Sequence, residues 1–147
     1  MPTDIWVAVA SDDSGRYGMG AILCAPKKDT RISRPLRVTQ KSENVALYKA
    51  IEAAIVFAGH MAAKQVTIHL DAPTVVTAMR DGKPIRGCAR YTTRIHQQTR
   101  HYDMTVTVQY SWGPQMMLVH ELANLALLDR RADAKEWAAN RNYTLIL

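Results

Sequence analysis

Asp12 and Asp71 each stand directly behind an apolar, strand-like run, Ile5-Trp6-Val7-Ala8-Val9-Ala10 for the first and Gln65-Val66-Thr67-Ile68-His69-Leu70 for the second. Residues just past strand ends line one edge of an open α/β sheet. If the two strands are parallel neighbours, both carboxylates open onto one cleft. Paired carboxylates are hard oxygen donors suited to Mg²⁺ or Mn²⁺, and such ions activate water and stabilise the leaving oxygen in phosphodiester hydrolysis. The plainer role of an Asp in this place is to form a turn or cap a helix. With no metal between them, two facing carboxylates repel, and one pKa rises.

The elements that must position these groups follow from the hydrophobic pattern. After the first strand and the polar turn Ser11 to Gly15, a second strand reads Gly18 to Cys24, with glycines that allow another backbone to come close. Lys27 to Thr30 reads as a turn, and the alternation of Leu36-Arg37-Val38-Thr39-Gln40 predicts a third strand. Ser42 is an N-cap candidate with Glu43 in the first turn of a helix over Val45 to Ala63, where Ala46, Ala50, Ala53, Ala54 and Phe57 form a face that fits closely on a sheet. The strand ending at Asp71 leads to a short helix, Pro73 to Arg80, opened by proline, and to another over Ala89 to His101. Met104 to Tyr110 is β-branched and reads as a strand, Trp112-Gly113-Pro114 breaks it, and a last helix is predicted over Met117 to Ala139. The order βββ-α-β-α-α-β-α implies a five-stranded mixed sheet flanked by helices. The chain reads as one α/β domain over 1–141, with 142–147 as a tail or a short extra strand.

The chain has 147 residues, of which 48% are apolar, and these values fit a globular domain and exclude a disordered one. A net charge of +6 favours polyanionic partners, chiefly nucleic acid. No apolar run approaches the ~20 residues that span a bilayer, so no membrane partner is expected. Cys24 and Cys88 match no zinc or redox spacing, and read as packing residues of a protein in the reducing cytoplasm.

A succession of short segments carries a further reading: Ser11-Asp12-Asp13-Ser14, Gly18 to Leu23, Asn44-Val45-Ala46-Leu47-Tyr48-Lys49-Ala50, Val66 to Asp71, Val75-Val76, Trp112-Gly113-Pro114, and His120 to Ala126. In order and spacing it resembles the ribonuclease H type 1 family, in the compact form without a long basic handle, over nearly the whole chain. The resemblance implies the ribonuclease-H-like fold and cleavage of the RNA strand of RNA–DNA hybrids by four acidic residues around Mg²⁺ or Mn²⁺. Two positions keep their acid, as Asp12 and Asp71. The other two depart from the pattern: Leu47 stands in place of Glu and His120 in place of Asp. A neutral imidazole suits Mn²⁺ or Zn²⁺ better than Mg²⁺, and resolvase-like enzymes of the same superfamily use a His near this place. Leu47 removes a negative ligand, and Glu43, one turn earlier on the same helical face, is the nearest replacement.

The resemblance further implies contacts to the hybrid. Glu43 and Asn44 stand where RNA 2′-hydroxyls are read, and Arg86, Arg90 and Arg94 where the DNA strand is held. Lys27, Lys28, Arg31, Arg34 and Arg37 are expected on the surface, as a phosphate rim or a soluble edge. Trp6, Trp112 and the run Met116-Met117-Leu118 are expected in the core. Three functional readings follow. One is a hybrid-binding protein with an incomplete metal site, in which hydrolysis is weak or absent. Another is an active, divalent-metal ribonuclease using Asp12, Asp71 and His120. A third is a different nuclease of the same superfamily, such as a resolvase-like enzyme, to which His120 would be native.

Overall fold

The structure, a computed structural model, describes residues 2–12, 15–25, 28–36, 42–128, 135–136, 139 and 144–146. Strands β1 (Pro2–Ser11), β2 (Tyr17–Ala25) and β3 (Lys28–Leu36) form an antiparallel meander. Helix α1 (Glu43–His60) leads to β4 (Gln65–Leu70), which lies parallel to β1 on its other side. Helices α2 (Pro73–Asp81) and α3 (Ala89–His101) precede β5 (Thr105–Tyr110), parallel to β4, and α4 (Pro114–Leu127) follows. The five expected strands take the order β3-β2-β1-β4-β5, and β6 (Thr144–Ile146) joins β3 in parallel, so that the sheet has six strands.

Helices cover both faces of the sheet. On one face α1 and its neighbours enclose the main core, where Ala46, Ala50, Ala54 and Ala58 bring α1 close to Ile5, Val7, Met19 and Leu23. The N-cap is the expected one: the Val45 amide donates to Ser42 Oγ at 3.4 Å. On the other face α4 packs on β1, β2 and β3 through Ala8, Ile22, Met116, Val119 and Leu122. Close approach is possible because β2 carries glycine at 18 and 20. A Cβ on Gly20 would strike the Val119 carbonyl oxygen, and one on Gly18 the Ala123 carbonyl oxygen.

Several expectations need correction. The third strand is Lys28–Leu36, not Leu36 to Gln40, and Lys28 to Thr30 are strand rather than turn, while residues 37–40 lie outside the described residues. Its polar sequence hides a buried face: Arg31 and Ser33 are 4% and 3% exposed, and Ser33 Oγ donates to the Leu122 carbonyl at 2.7 Å, tying β3 to α4. Arg31 is therefore no surface rim. The last helix starts three residues early, because Pro114 needs no amide partner in the first turn; α4 spans Pro114–Leu127, and of the remaining stretch expected to be helical, residues 129–134 and 137–138 lie outside the described residues. Trp112 and Met117 are 72% and 64% exposed, not core, because they sit where β5 passes into α4, beyond the strands that α4 covers. Trp6 is half-buried and Met116 buried. No helix among the described residues is long and apolar enough to cross a membrane.

Candidate active-site cleft

The parallel pairing of β1 and β4 sets the site. Trp6 is the register partner of His69, so two residues further on Ala8 comes alongside Asp71, at the point where β4 ends and α2 is about to begin. Helix α1 presents its first two turns to the same edge, and α4 approaches from the opposite face. A cleft of about 280 Å³ results, lined by Ala8, Val9, Glu43, Asn44, Leu47, Asp71, Ala72 and His120. The fold thus gathers five of the residues singled out from the sequence: Glu43, Asn44, Leu47, Asp71 and His120.

Within the cleft Asp71 is already engaged. His120 Nε2 lies 2.7 Å from Asp71 Oδ2, with the imidazole two-fifths exposed and the carboxylate about one-fifth. Leu47 is 6% exposed. Burying a side chain of this size contributes about 1.5–3 kcal/mol, which makes position 47 a packing position in this chain. Glu43 is exposed at the rim.

Asp12 is not among the lining residues. Strand β1 continues to Ser11, which carries Asp12 into the connection to β2, four residues beyond Ala8. There its carboxylate accepts from the Arg16 amide at 3.1 Å through Oδ1 and from Arg16 Nε at 2.8 Å through Oδ2. Backbone bonds from Asp12 N to the Arg16 carbonyl and from Gly15 N to the Asp12 carbonyl complete the turn. These contacts are those of a turn-forming aspartate. Ala8 takes the place beside Asp71, a position that the identity of an aspartate does not reveal. The usable signal was register: Ala8 pairs with Gly20 of the Gly-Met-Gly-Ala-Ile-Leu strand.

A pair of divalent ions requires several carboxylate oxygens converging from different elements. Among the described residues no group of three or more His, Cys, Asp or Glu side chains is arranged to hold a metal ion. The cleft offers one carboxylate already bonded to an imidazole, an acid at the rim, and apolar groups at 8 and 47. This donor set does not fit a two-ion centre.

Arg86, Arg90 and Arg94 are exposed and lie away from the cleft, on α3 and the connection before it. Arg90 Nη2 donates to the Tyr91 hydroxyl at 2.8 Å, and its guanidinium lies 4.9 Å from that ring's centre. Arg94 pairs with Glu52 at 3.3 Å, beside a second hollow of about 630 Å³ that Arg34, Lys49 and His60 also line.

No protein-family model matches the chain, and no curated protein does. Solved structures do. Ribonuclease H1 from the halophilic archaeon Halobacterium salinarum superposes with a TM-score of 0.72 at 17% identity, over 88% of this chain and 99% of that one. The N-terminal ribonuclease H domain of a Mycobacterium tuberculosis protein gives 0.73 at 16%, over 86% and 99%. A compost-derived ribonuclease H1, LC11, in complex with RNA/DNA hybrid gives 0.69 at 16%, over 87% and 98%. The expected architecture is thereby established: the chain has the ribonuclease-H-like fold.

Proposed function

We propose that this chain is a nucleic-acid-binding protein, with RNA–DNA hybrid as its principal partner, in which metal-dependent hydrolysis is weak or absent. The observation that carries this reading is the make-up of the cleft. Asp71 is hydrogen-bonded to His120, Leu47 and Ala8 supply apolar walls, and Asp12 is bonded to Arg16 in the turn. Binding is supported by the net charge of +6, by Glu43 and Asn44 at the cleft where 2′-hydroxyls would be read, and by the exposed Arg86, Arg90 and Arg94. A hybrid-bound structure among those of like fold supports the choice of partner. The free Cys24 and Cys88 accord with a reducing, cytoplasmic setting.

Glu43 at the rim favours one second reading, an active ribonuclease that holds Mn²⁺ or Mg²⁺ through Asp71 and His120, with Asp12 recruited. The two readings separate on an end-labelled RNA–DNA hybrid incubated with Mg²⁺ and with Mn²⁺. We expect salt-sensitive binding with no cleavage by either ion. Cleavage that disappears in Asp71→Asn would establish the enzyme instead.

A further inference from the structure

Away from the cleft, three polar side chains, from β1, from β4 and from the residue that follows β5, meet in a line. His69 on β4 places Nδ1 2.6 Å from Ser111 Oγ and Nε2 2.9 Å from Asp4 Oδ1. The imidazole is held in place. It is 9% exposed and lies flat on Trp6, with ring centres 4.3 Å apart and planes 8° from parallel. Ser111 is fixed as well, because its amide donates to the Leu70 carbonyl at 2.8 Å. With the ring proton on Nε2, the imidazole donates to Asp4, and Nδ1 is free to accept from the Ser111 hydroxyl. This is the hydroxyl–imidazole–carboxylate order by which a serine becomes a nucleophile, with the two ring nitrogens exchanged relative to the usual arrangement.

The surroundings supply the remaining parts. Ser111, half-buried, opens the connection from β5 to α4, and α4 packs on β1, β2 and β3. Trp112, next in the chain, and Met117, in the first turn of α4, are apolar and 72% and 64% exposed. Gly113 is the N-cap of α4, and the first-turn amides of Gly113, Gln115 and Met116 precede the first intrahelical donor, Met117. Such amides suit a developing oxyanion.

We propose that Ser111 is the nucleophile of an acyl-transfer site for small, uncharged carboxylic esters with an apolar acyl group, with His69 as base and Asp4 as the positioning residue. Ser111 Oγ adds to the ester carbonyl as its proton passes to His69 Nδ1. The tetrahedral adduct expels the alcohol, which takes that proton, and leaves an acyl ester on Ser111. Water, deprotonated by the same nitrogen, releases the carboxylic acid and restores the hydroxyl. Ester and water are consumed; acid and alcohol are formed. The inference is independent of the nucleic-acid reading.

The test is labelling with a fluorophosphonate probe, followed by peptide mapping, alongside hydrolysis of p-nitrophenyl butyrate. We expect one label, on Ser111, and none in Ser111→Ala. Hydrolysis should fall by about 10²-fold or more in Ser111→Ala and in His69→Gln. Asp4→Asn should lower kcat and leave KM unchanged, with Asp4→Glu recovering part of the loss, which a merely structural contact would not do. Circular dichroism shows whether each variant is folded, and Ser111→Ala decides the matter if His69→Gln is not. An unlabelled Ser111, or hydrolysis equal in wild type and Ser111→Ala, would overturn the proposal.

Discussion

A carboxylate at position 47 would have to be held, desolvated, against Asp71, and this chain places a leucine there that is 6% exposed. Leu47, Asp71 and His120 were all legible in the sequence, because each is fixed by its place within one helix or at one strand end. Asp12 and Ala8 were not, since which of them stands beside Asp71 depends on the pairing of two strands far apart in the chain. If Asp12 is a turn residue, Asp12→Asn should cost under about 1 kcal/mol in a urea melt, the scale of an exposed ion pair, and should leave hybrid affinity unchanged. A loss of affinity would return Asp12 to the site. Cys24 provides a second prediction at this scale. Burial, and then the nearby Asp29 carboxylate, push its thiol from the ordinary 9.0 up to about 11. The unfolded chain loses that proton first, so this contribution to stability is complete below about pH 9 and is lost as pH rises to about 11. Melting curves across that window should show a decline that Cys24→Ala reduces.

Among the elements, the contact of α4 with β2 determines where His120 stands. Gly18 and Gly20 were readable as points of close approach, whereas the burial of Arg31 and Ser33 on β3 was not, since a charged stretch carries no hydrophobic alternation. Gly20→Ala directs a methyl group at the Val119 carbonyl, and we expect a loss of about 1–3 kcal/mol in chemical denaturation, the usual cost of overpacking. Gly87→Ala, which meets open space but has a φ of +83°, should lose less, about 1 kcal/mol, through backbone strain alone. Equal losses would show that α4 can shift away from the sheet, and that the Asp71–His120 contact is not set by this packing.

For the molecule as a whole, element order and layer architecture could be read from the sequence because each helix and strand carries its own periodicity. The sixth strand could not be assigned, since a three-residue pairing with β3 leaves too short a pattern to register. The charge of +6 acts at this scale. Hybrid affinity should fall by about 10²-fold between 50 and 200 mM salt if roughly four phosphates are neutralised. A flat salt profile would remove the electrostatic basis of the binding proposal. The central claim concerns the cleft, that its donor set does not hold two ions, and electron paramagnetic resonance of Mn²⁺ titrated into the hybrid-bound protein tests it most directly. We predict no spectrum of a spin-coupled manganese pair, and the same titration curve for wild type and Asp71→Asn. A coupled pair that disappears in Asp71→Asn would contradict the claim.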